Sequence, residues 1–114
     1  MKIYHLKTCD TCRKAIKALK ATGQAPDLID VRADGVEAAT LERFEAVLGY
    51  EALVNKKSTT WRGLTEDQKS NLSRETTIEL LLEHPTLMKR PVIEQNGALS
   101  VGWTKAVQAE YGIG

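Results

Sequence analysis

A chain of 114 residues, 42% apolar and 27% charged, is long enough to form one compact domain with a core of its own. Sixteen basic against fifteen acidic residues leave a net charge of +1, which excludes a strong electrostatic footprint for nucleic acid or an anionic membrane surface. No apolar run reaches membrane-spanning length, and the Lys2 start lacks the apolar segment of a signal peptide. The expected location is therefore the cytosol, where a cysteine pair is more often catalytic than structural.

In chain order, residues 2–6 read as a short strand on which His5 is a structural residue, and residues 13–22 read as a helix that stops at Gly23. Residues 26–31 read as a second strand, so the start of the chain is a βαβ unit with its strands parallel. A polar loop with an Asp-Gly turn follows at 32–35. From about 36 to 84 the pattern is helical and holds no strand candidate. Ala39, Leu41, Phe44, Val47 and Leu48 recur at helical spacing up to Gly49. Thr65 with Gln68, and Ser73 with Thr76, are capping pairs that open two further helices, and His84 is expected to close the second, whose apolar residues are Ile78, Leu81 and Leu82. This block is read as an insertion within a single domain spanning 1–114. Residues 91–95 and 98–101 read as strands around Asn96-Gly97, a strong hairpin signal, and 103–111 as a closing helix. The order βαβ, helices, ββα predicts an α/β thioredoxin-like fold with a mixed four-stranded sheet and a central all-helical insertion.

Both cysteines of the chain, Cys9 and Cys12, lie at the first strand-to-helix junction. A thiolate there is stabilised by the helix dipole and the unpaired N–H groups of the first turn. Lys7, Arg13 and Lys14 add to that effect and Asp10 opposes it. Cys12, Ile16 and Leu19 share one helix face, so Cys12 is expected to face the core. Cys9, a turn earlier, is assigned as the nucleophile and Cys12 as the thiol that resolves a mixed disulfide. The same spacing also suits a structural disulfide, two inert buried thiols or part of a metal site. A complete zinc site needs further ligands, and only His5 and His84 are on offer at poor spacing, so no metal is expected.

Arg90-Pro91 opens the third strand. A proline there is expected to be cis and to face the redox cysteine. Arg90 is then placed to hold the sulfur as thiolate and to grip an oxyanion with its forked donors; the alternative is a solvent-facing arginine. The tract 55–62 is basic and hydroxyl-rich and reads either as a functional loop, with Trp61 as its anchor, or as a solvated connector.

These residues resemble the arsenate reductase-like family, which takes in glutaredoxin-coupled arsenate reductases, Spx transcriptional regulators and a YffB-type branch of glutathione-dependent thiol reductases. The resemblance is carried by Ile3-Tyr4 leading to Cys9 through Ala15, by the run 53–64 with Ser58-Thr59-Thr60-Trp61-Arg62, and by 84–92 with Arg90-Pro91. Its closest match is the YffB-type branch. It implies a thiol-disulfide oxidoreductase with catalytic Cys9, Cys12 and Arg90, and no bound cofactor. Glutathione would be the co-substrate, held by Thr8, Thr11, Asn55, Lys57, Arg62 and Pro91. The implied partners are a small thiol or disulfide and glutaredoxin. One alternative is arsenate reduction, whose three-arginine pattern this chain matches only at Arg90, the other two positions falling on Asn55 and about Gly102. Another is an Spx-like redox switch that binds RNA polymerase.

Overall fold

The computed structural model describes residues 1–113. Two compact units emerge, Met1–Asp34 with Arg90–Gly114, and Gly35–Lys89.

The first unit carries the sheet. Strand β1 (Lys2–His5) leads to helix α1 (Asp10–Ala21) and strand β2 (Asp27–Asp30). Strands β3 (Val92–Gln95) and β4 (Ala98–Val101) and a late helix (Lys105–Glu110) complete it. The strand order is β2-β1-β3-β4, with β1 and β2 parallel and the other pairs antiparallel. This is the mixed sheet that the element order predicts. Asn96 and Gly97 both take positive φ, 52° and 82°, the turn geometry that matches the twist of a two-residue hairpin. Ile3, Leu19 and Ile93 are sealed at the centre, with Met1, Ile16, Trp103 and Tyr111 packed against them. Burying each such aliphatic side chain contributes roughly 2–3 kcal/mol.

Helix α1 starts three residues earlier than its apolar spacing suggests, because Cys9 takes the extended conformation of an N-cap (φ −91°, ψ 115°) and Asp10 supplies the first-turn acid. Its sealed positions are Cys12, Ala15 and Leu19. The chain leaves the helix through Gly23 at φ 93°, a conformation that favours glycine. The closing helix begins two residues later than expected, because Thr104 caps it by accepting from the Val107 N–H at 3.2 Å.

The second unit is all helical: α2 (Ala38–Leu48), α3 (Tyr50–Leu53), α4 (Thr59–Arg62), α5 (Glu66–Ser70) and α6 (Arg74–Glu83), with a 3-10 turn at Pro85–Leu87. Label α7 then falls to Lys105–Glu110. Leu41, Phe44, Leu53, Leu81 and Leu87 are buried, and Arg74 of α6 pairs with Glu45 of α2 at 2.8 Å. Val47 and Leu82, expected on apolar helix faces, and Ala39 face solvent instead, so the α2 stripe is narrower than its periodicity. Both capping pairs form reciprocal boxes, Thr65 with Gln68 and Ser73 with Thr76. His84 is the C-cap of α6. Among the described residues no helix is long and apolar enough to cross a membrane.

Candidate active site

The site is built from the strand register. The β1–β3 pairing runs Lys2↔Glu94, Ile3↔Ile93, Tyr4↔Val92. One further step sets Pro91 opposite His5, and the next carries Arg90 beyond the end of β1, beside the loop that holds Cys9. The Arg90–Pro91 bond is cis, as the sequence predicts. Pro91 is buried, and its carbonyl accepts from the Gly102 N–H at 2.9 Å.

Both cysteines are free thiols, Cys9 half-buried and Cys12 fully enclosed. Burial raises the cost of a Cys9 thiolate. Against it stand the Cys12 backbone N–H, the Cys12 thiol and the charge and hydrogen bond of the Arg90 guanidinium, and together they hold the Cys9 pKa below the ordinary thiol value. No cap hydrogen bond of ordinary geometry closes onto the neutral Cys9 side chain, so the Cys12 N–H acts on the charged sulfur. Burial dominates at Cys12, and with the neighbouring Cys9 it pushes that thiol up to about 12. The two sulfurs are thus inequivalent in access and acidity, in the sense the helix face predicts.

Other groups beside Cys9 are already in use. Arg13 donates from Nε to the Lys7 carbonyl at 3.0 Å and pairs with Asp10 at 3.4 Å, so it shapes the loop. The charge that leads in lowering the Cys9 pKa is that of Arg90. Thr8 and Thr11 are exposed beside it.

Asn55, Lys57 and Arg62 belong to the second unit, where they build one loop. The Asn55 side chain accepts from the Lys57 N–H at 3.0 Å, and Arg62 donates back to the Lys57 carbonyl at 3.2 Å. Ser58 caps α4 by accepting from the Trp61 N–H at 3.1 Å, so the tract that lacks a period in sequence contains a helical turn. Lys56 and Lys69 lie over the half-buried Trp61 ring at 5.7 and 6.0 Å.

Sequence reasoning passed over Asp30. It is 5% exposed, and its carboxylate accepts from the N–H groups of Lys7 (3.1 Å), Arg32 (2.9 Å) and Ala33 (2.9 Å). The Ala33 N–H leads in holding its pKa below the usual carboxylate range. The signal was local: an Asp ending a strand ahead of a turn is the residue type that gathers nearby N–H groups. Through Lys7 it ties the end of β2 to the Cys9 loop. Among the described residues no group of three potential metal ligands forms.

The ArsC family matches residues 4–110. The chain belongs to the ArsC family. An uncharacterized protein of Haemophilus influenzae is 42% identical over 110 residues, covering 96% of each chain. The solved structure of the YFFB protein superposes with a TM-score of 0.90 at 36% identity, again over 96% of each chain. An arsenate reductase of Neisseria meningitidis is 25% identical over 105 residues, 90% of this chain and 89% of its own. This ArsC-family chain thus has the thioredoxin-like fold and is related to arsenate reductase-like oxidoreductases.

Proposed function

We propose that this chain is a thiol-disulfide oxidoreductase that works with glutathione in the cytoplasm. One observation carries the reading: a half-buried Cys9 of lowered pKa facing Arg90, next to a sealed Cys12 whose pKa is raised to about 12.

The Cys9 thiolate attacks a disulfide R–S–S–R′, forming Cys9–S–S–R and releasing R′S⁻. The Cys12 thiol then gives up its proton and attacks the Cys9 sulfur, forming the Cys9–Cys12 disulfide and expelling RS⁻. Two glutathione thiols restore the dithiol and leave as glutathione disulfide, directly or through a glutaredoxin. Forming the mixed disulfide removes the Cys9 negative charge, one of the causes that raise Cys12, so the first step lowers the cost of the second. Arg90 stabilises thiolate in both steps. Thr8, Thr11 and Pro91 line the approach to Cys9.

Arsenate reduction is a second reading, favoured by the Neisseria relative. Arg90 alone offers poor charge-assisted binding to a dianion, which ranks it below disulfide exchange.

The test is mass spectrometry after treatment with oxidised glutathione. Cys12→Ser is expected to trap one glutathione on Cys9, wild type to pass to the intramolecular disulfide, and Cys9→Ser to take up none. An adduct on Cys12 in the Cys9→Ser variant, or none in Cys12→Ser, would overturn the reading.

A further inference from the structure

The parallel β1–β2 register ends at His5↔Asp30, and two further steps set Lys7 level with Arg32. Between them opens a hollow of about 270 Å³ lined by Leu6, Lys7, Thr8, Asp30, Arg32 and Ala33. Asp30 takes part in its lining, and both carboxylate oxygens are occupied by the N–H groups of Lys7, Arg32 and Ala33. Its negative charge is thus met from within the protein. The Lys7 backbone is fixed at both polar groups, its N–H by Asp30 and its carbonyl by Arg13. The Lys7 and Arg32 side chains are exposed, and neither is ion-paired with a carboxylate among the described residues. The hollow therefore presents two uncommitted cations above one internally satisfied acid. Its Thr8 wall precedes Cys9 directly, about 3.8 Å away from Cα to Cα.

We propose that this hollow is a carboxylate subsite: it receives the acidic arm of a small thiol or disulfide whose sulfur exchanges at Cys9. Arg32 offers forked donors and Lys7 a mobile ammonium, and the Thr8 hydroxyl can donate at the edge nearest the nucleophile. The inference rests on Cys9 as the exchanging sulfur and deepens that reading by naming the chemistry of the substrate. Exposed cations give modest, salt-screened attraction. The subsite therefore sorts substrates by charge, favouring acidic over basic disulfides.

Two measurements separate the subsite from the exchange chemistry. S-methylglutathione carries both carboxylates but cannot exchange. Titrated against the full chain, it is expected to shift the amide resonances of Lys7, Thr8, Arg32 and Ala33 saturably, and the Lys7→Gln/Arg32→Gln variant, its other resonances in place, to lose that response. In the Cys12→Ser background, the ratio of Cys9 exchange rates for dithiodipropionate over cystamine is expected to fall about tenfold on the same double substitution, and to fall likewise in wild type in about 1 M salt. Exchange with an unchanged ratio, or resonance shifts that saturate elsewhere, would overturn the subsite while leaving the oxidoreductase reading intact. Shifts at the hollow without exchange at Cys9 would leave a carboxylate-binding hollow but remove the oxidoreductase reading, and with it the role of the hollow in substrate exchange.

Discussion

Two residues separate Cys9 from Cys12, and burial acts on both sulfurs in the same direction, against the charged form. What distinguishes them is the set of groups that repay it. Cys9, at the helix entrance, has the Cys12 N–H and Arg90; Cys12, one turn in, is sealed and feels Cys9 as a like charge. Asp30 shows the same logic with a carboxylate, whose charge is favoured by backbone donors. Replacing it by alanine leaves the Lys7, Arg32 and Ala33 N–H groups without their acceptor. Asp30→Ala is therefore expected to cost about 2–3 kcal/mol of stability at neutral pH by urea unfolding. Because the folded pKa lies below the unfolded value of about 3.9, this contribution is present above that pH and is lost as pH falls through the folded pKa. The difference between wild type and variant should shrink accordingly in acid. An unchanged unfolding midpoint at pH 7 would show that water replaces the carboxylate at no cost.

Local signals of a single physical kind were legible in the elements. Asn96-Gly97 requires two positive φ angles, and Thr65/Gln68 and Ser73/Thr76 offer reciprocal caps; all three form. The start of α1 was not legible to the residue, because a cysteine N-cap has no propensity signal and the apolar spacing begins only at Cys12. The α2 stripe is narrower than its period: Val47 and Leu48 fit a helical spacing, yet Val47 is 59% exposed, since periodicity reports a face and not its width. Helix α6 holds a local conflict. Thr77 is fully buried, and its hydroxyl has no hydrogen-bond partner among the described residues. Thr77→Val keeps the shape and removes the unsatisfied oxygen, so a gain of about 1 kcal/mol in unfolding free energy is expected. A loss of stability would mean that the hydroxyl has an acceptor after all.

For the molecule as a whole, element order was enough to predict the fold, since βαβ followed by a hairpin leaves few ways to build a mixed four-stranded sheet. It predicted the all-helical block between as well. In the first unit Cys9, Cys12, Arg90 and Pro91 were legible because strand register brings distant positions to one sheet end. Asp30 and the hollow beside it were not, since they depend on where backbone N–H groups point after β2. In the 55–62 tract, which residues are spent on holding the loop emerges only from its hydrogen bonds.

On the proposed reading Cys9 is a thiolate stabilised by Arg90. The direct measurement is the pH dependence of iodoacetamide alkylation, read at the Cys9 peptide by mass spectrometry in wild type and in Arg90→Met. A lowered folded pKa means that the reactive anion persists as pH falls below the free-thiol value. The expected midpoint is below the free-thiol value in wild type and higher in Arg90→Met, with Cys12 unreactive in the native protein at neutral pH. A wild-type midpoint at or above about 8.5, or one that Arg90→Met leaves in place, would contradict the account.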